Sequence, residues 1–145
     1  MATRHQARRA VVGLLYAYDL GNDGIEKFSE EILESDKIRN KQREFSLRLF
    51  RGTVENLEKI DEEIAKHLQS WDYSSIGKVE KAILRLGTYE ILVEGTERPI
   101  IINEAVELAK ELADEKSPQF INGVFDAVGK PPHRSEEFRT KSEEL

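Results

Sequence analysis

Along most of this chain the apolar residues return every three or four positions, the repeat of a helix that hides one stripe and wets the rest. Thr3 with Gln6 reads as a capping-box start, and Ala7, Ala10, Val11, Leu14, Leu15 and Tyr18 then share one face as far as Leu20. Gly21-Asn22-Asp23-Gly24 ends that helix. Ile25, Phe28 and Ile32 form the stripe of a second, shorter one that breaks at Ser35-Asp36. Leu47, Phe50, Val54, Leu57, Ile60, Ile64 and Leu68 predict one long helix over 41–68, or two that meet near Gly52-Thr53. Trp71-Asp72-Tyr73-Ser74-Ser75 reads as a loop with capping hydroxyls. Residues 76–93 then form the most apolar helix, with Ile76, Val79, Ile83 and Leu86 as its main stripe, and belong at the centre of the core.

Only Pro99-Ile100-Ile101-Ile102-Asn103 has β-propensity, and it runs directly into the strong helix formers from Glu104 to Lys110, so we expect an extended lead-in to a helix. Ser117-Pro118 predicts a last helix with Ser117 as N-cap and proline at its first position, stopping at Gly129 before Pro131-Pro132. The expected fold is all-α, a bundle of about seven helices. Its 145 residues suffice for one domain with a real core, placed at 1–129, with a charged tail over 130–145.

Zero cysteines exclude disulfides, thiolate nucleophiles and cysteine-ligated metal sites. The three histidines, His5, His67 and His133, lie far apart without a second ligand at helical spacing, so no metal is expected. No glycine-rich phosphate loop and no nucleophile elbow occur; no cofactor and no catalysis are expected. No apolar run approaches the ~20 residues of a membrane span and no secretory signal opens the chain, so the expected compartment is the cytoplasm.

The net charge of -6 argues against a nucleic-acid partner until its distribution is considered. Residues 1–12 hold Arg4, Arg8 and Arg9 and no acid, so the first helix is basic and the remainder acidic. On a helical wheel starting at Arg4, Arg8, His5, Tyr16 and Arg9 fall at about 40, 100, 120 and 140 degrees, away from the apolar stripe. Arginines attract phosphate and an aromatic ring stacks an unpaired base, the combination that single-stranded RNA recognition uses; a solvated basic face remains the blander alternative. Glu80 and Glu90 fall inside the apolar sector of the central helix, as hydrogen-bonded half-buried carboxylates or as acidic contacts for a protein partner.

Three stretches resemble the NusB family in type and order. They are Arg4-His5-Gln6-Ala7-Arg8 through Leu15-Tyr16; Gly77-Lys78-Val79-Glu80-Lys81-Ala82-Ile83-Leu84-Arg85 with Tyr89-Glu90; and Ile102 to Lys110 with Phe120-Ile121-Asn122-Gly123-Val124-Phe125-Asp126. The resemblance implies two helical subdomains and a transcription antitermination factor without catalysis. Such a protein binds the boxA element of nascent ribosomal-RNA transcripts with a small-subunit ribosomal protein that doubles as NusE, and contacts other antitermination factors and RNA polymerase indirectly. It implies RNA contacts for Arg4, Arg8, Arg9 and Tyr16, with His5 beside them, and for Lys116, Gln119 and Phe120 at the last helix, whose N-terminus near Ser117 suits a phosphate. Glu80 and Arg85 are assigned to the ribosomal partner. Gln119 stands where a basic residue is usual in the family, and the basic run is short, so reliance on the partner is part of the expectation. The rivals are a fragment of a ribosomal-RNA methyltransferase, for which a nucleotide-cofactor loop is missing, and a helical scaffold or homodimer whose N-terminal arginines pair with acidic helices of a second copy.

Overall fold

Helix α1, Arg4–Asp19, begins as its first residues dictate. The Thr3 hydroxyl accepts the Gln6 N–H at 3.0 Å and the Gln6 side chain accepts the Thr3 N–H at 2.8 Å, which satisfies two donors that the first turn leaves open. The structure, a computed structural model, describes residues 2–22, 24–68 and 73–129; the tail over 130–145 and Trp71-Asp72 of the expected loop lie outside them. Among the described residues the regular elements are helical. None is long and apolar enough to cross a membrane.

Helix α2, Ile25–Ser35, buries Ile25 of the expected stripe together with Ser29 and Leu33, while Ile32 is half-buried and Phe28 is 53% exposed. Ser29 is small and bonds its hydroxyl to the Glu26 carbonyl at 2.8 Å, so the helix lies close to its neighbours along that line. Helices α3, Asn40–Glu55, and α4, Leu57–Ala65, answer the question of one helix or two. The break falls at Asn56, whose side-chain amide donates to the Gly52 carbonyl at 2.8 Å.

A three-residue 3-10 turn, Tyr73–Ser75, leads to α5, Lys78–Tyr89, which ends in a π-helical turn, Glu90–Glu94, and a left-handed Gly95. Every residue from Lys81 to Glu90 is buried, as expected for the central helix, and α1, α3, α4, α6 and α7 all pack on it. Gly52 and Gly87 allow the closest of these approaches, because a Cβ on either would run into the ring of Tyr89 or Phe125. Helix α6, Arg98–Leu112, includes the segment expected to be extended. Pro99 in the first turn lacks a donor that would be unpaired anyway, and burial of Ile101 outweighs the β-propensity of the isoleucine run. Helix α7, Ser117–Ala127, starts one residue earlier than expected, with Lys116 at the cap position and Ser117 already helical. It closes as expected at Gly129, φ 75°.

Candidate nucleic-acid interface

The wheel of α1 places its basic residues only approximately, since packing on both flanks decides which face stays open. Arg8, at about 40 degrees, lies next to Leu15, and Val12, which the expected stripe omitted, is buried as well. Arg8 is only 6% exposed. Its Nε and Nη2 donate to the two Glu90 oxygens at 2.9 Å each, and Nη1 is 3.6 Å from Glu104. Burial opposes its charge, but the hydrogen bonds and charge of Glu90 prevail and raise its pKa. Arg8 is therefore a strut between α1 and the end of α5, not a solvent-facing phosphate ligand, and Glu90 is the buried bonded carboxylate of the two readings.

His5 is inserted between two acids of α6, with Nδ1 2.5 Å from Glu104 and Nε2 2.7 Å from Glu111. Burial works against protonation, yet the hydrogen bonds to Glu104 and Glu111 raise its pKa. Both ring nitrogens facing carboxylates require the imidazolium form, which alone carries two donors. Arg4 turns to the other side, where its guanidinium sits 3.9 Å from the centre of the Phe45 ring. That leaves Arg9, with a side chain 56% exposed and 3.5 Å from Glu111, and Tyr16, 37% exposed, on the open face.

This open face forms the floor of a groove of about 1410 Å³. Gln6, Arg9, Gly13 and Tyr16 line it from α1, and Val79 and Leu112 line it from α5 and α6. Beside that end lies the turn into α7, built around Asp114. Its carboxylate accepts the Lys116 N–H at 2.9 Å and the Ser117 hydroxyl at 3.1 Å, and these bonds hold its pKa below the ordinary value. Lys116 and Gln119 are exposed, whereas Phe120 is half-buried and packs partly on the core.

The two residues assigned to a protein partner both bond within the chain. Glu80 accepts the Ser117 hydroxyl at 2.5 Å and so ties α5 to the start of α7. Arg85 is buried and forks onto Asp61 at 2.9 Å through both Nε and Nη2, with Nη1 on Asp19 at 3.1 Å. Burial opposes its charge, but the bonds to Asp61 raise its pKa further. Tyr73 donates to the same Asp61 at 2.7 Å. An arginine only 6% exposed and forked onto two acids of its own chain works first as an internal tie between α5, α4 and α1.

Among the described residues no group of three His, Asp or Glu side chains is placed to hold a metal. The sequence reading missed the far wall of the groove, which the α2–α3 turn supplies through Lys37, Arg39 and Lys41. The signal was available: 37–43 carries four cations in seven residues, denser than the start of α1.

A family model described as the NusB family matches residues 5–130. The transcription antitermination protein NusB of Sulfurovum sp. (strain NBC37-1) is 78% identical over 130 residues, 90% of this chain and 100% of that protein. Among solved structures, NusB of T. maritima superposes with a TM-score of 0.82 at 34% identity, covering 95% of this chain and 98% of that one. A crystal structure of the antitermination factors NusB and NusE in complex with double-stranded RNA is similar at a TM-score of 0.76 and 34% identity, over 86% of this chain and 93% of that one.

Proposed function

This chain belongs to the NusB family, and we propose that it is an RNA-binding transcription antitermination factor acting with a NusE-type ribosomal protein. The near-full-length identity to a transcription antitermination protein carries this reading. The surface supports it: Arg9 and Tyr16 stand together on the open face of α1, and Lys116 and Gln119 are exposed at the start of α7. An arginine fork for phosphate next to an exposed ring for a base suits a single strand such as a boxA element of a ribosomal-RNA leader. Arg8, His5 and Glu90 hold that face in place. The assigned work is in the cytoplasm at the transcription machinery, and it contains no catalytic step.

The scaffold reading loses part of its motive, because Arg8 finds its acid, Glu90, within the same chain. The test is titration of a fluorescent boxA RNA, as a single strand and as a duplex, with the protein alone and with its ribosomal partner. Tighter binding of the single strand, strengthened by the partner, is expected. No binding of either RNA in the presence of the partner would remove the assignment; a preference for the duplex would remove the role of Tyr16 as a stacking platform.

A further inference from the structure

The wall of the groove opposite α1 is built from the turn between α2 and α3, through Lys37, Arg39 and Lys41. The turn is closed by two backbone bonds at the end of α2, Ile38 N–H to the Leu33 carbonyl at 2.8 Å and Lys37 N–H to the Glu34 carbonyl at 3.0 Å. In that arrangement the residue after the helix cap is left-handed and is most often glycine. Here it is Lys37, at φ 62°, followed by Asn40 at φ 56°. Ile38, 3% exposed, anchors the turn in the core, and Arg43 donates to the Ile38 carbonyl at 3.2 Å, so the neighbouring charged side chains are displayed on a fixed frame.

The charges sort into two kinds. Arg39 and Arg43 both bond Glu34, whose carboxyl they hold below its ordinary range, the Arg39 bond first. Lys37 and Lys41 are exposed and have no carboxylate within salt-bridge distance among the described residues. Both line the same groove as Arg9 and Tyr16, and Asp36 is the acid that lines it with them. A furrow with an aromatic ring on its floor and unneutralised ammonium groups along one rim is complementary to a sugar-phosphate backbone whose bases turn inward.

We propose that the α2–α3 turn is the second wall of the RNA site, with Lys37 and Lys41 holding phosphates of the strand whose base stacks on Tyr16. The proposal rests on the RNA-binding reading above and adds to it a second contact surface, so that the strand lies in the groove rather than along one helix. Two phosphate contacts at about 0.7 each in the salt slope predict a loss of about 1.4 in that slope, and a loss of about 25-fold in affinity at 0.1 M salt, for the double variant Lys37→Gln, Lys41→Gln. Glutamine keeps the stem and the Cβ, so the left-handed turn meets the same steric demand in both proteins.

The experiment titrates fluorescent single-stranded boxA RNA into the protein with its ribosomal partner at several salt concentrations. It compares the wild type, the double glutamine variant and Arg9→Gln, with thermal melting to confirm that all are folded. A reduced slope and affinity in the double variant is the expected result. Binding unchanged in the double variant but reduced in Arg9→Gln overturns the second wall while leaving the RNA reading standing. No binding by the wild type brings down the RNA reading itself. If the lysine changes leave RNA binding intact and alter self-association in sedimentation, the rim is a surface for a second copy and the proposal is wrong.

Discussion

Arg8 and Arg9 are adjacent in sequence, and the structure gives them opposite work. Arg8→Ala leaves the Glu90 carboxylate buried without its bidentate partner, which should cost roughly 3–5 kcal/mol of stability in chemical denaturation. Arg8→Met with Glu90→Leu should recover most of that loss, since an apolar pair of similar volume avoids the desolvation of both charges. A recovery below half would show that the pair contributes more than mutual neutralisation. Tyr16→Ala should instead leave stability within about 0.5 kcal/mol and weaken single-stranded RNA binding by about 1–3 kcal/mol, with the salt slope unchanged. A fall in slope would mean that the ring positions a cation rather than a base. The sequence made the tyrosine legible because it sits well outside the apolar stripe. It put Arg8 on the open basic face, where the structure buries it, because a residue about 20 degrees from the edge of a stripe is buried or exposed according to how far the neighbouring helices wrap around, and no wheel contains those neighbours.

Between elements, α6 holds the first turn of α1 through charge. Glu104 and Glu111 face the two nitrogens of His5 and raise its pKa over the opposing effect of burial. For a group whose folded pKa is raised, the stabilisation is fully present below the unfolded value of about 6.5 and is lost as pH rises through the higher folded value. An NMR titration of the His5 ring should therefore give a midpoint above 6.5, and Glu111→Gln should lower it. A midpoint at or below 6.5 in the wild type would contradict the pairing. The helices themselves were mostly readable from spacing and caps, as Thr3-Gln6 and Gly129 show. The misses at α2 and at the start of α6 share a cause: a small Ser29 and a buried Ile101 give contacts that local pattern and β-propensity do not register. The break at Asn56 was equally a tertiary matter, with Gly52 recruited to admit Tyr89.

Over the whole molecule, the proposed function asks a chain of net charge -6 to bind a polyanion. The long-range field is unfavourable, but at 0.1 M salt charges beyond about 10 Å are largely screened, so the groove's own cations decide the outcome. Arg9, Lys37 and Lys41 in the groove, with Lys116 at the cap of α7, give four candidate phosphate contacts, at about 0.7 each a log–log salt slope near -2.8 for a single strand. Between 50 and 200 mM salt the affinity should then fall about fifty-fold. That sensitivity is modest beside proteins with six to ten contacts, which fits the proposed reliance on a ribosomal partner to complete the surface. Measuring the slope with and without that partner separates the two contributions. A slope near -2.8 alone that steepens in the complex means that the partner adds cationic contacts, whereas an unchanged slope with higher affinity means that it orders the groove or adds apolar contacts. A slope near zero for the protein alone would show that the acidic remainder, and not the local cluster, sets the electrostatics of binding.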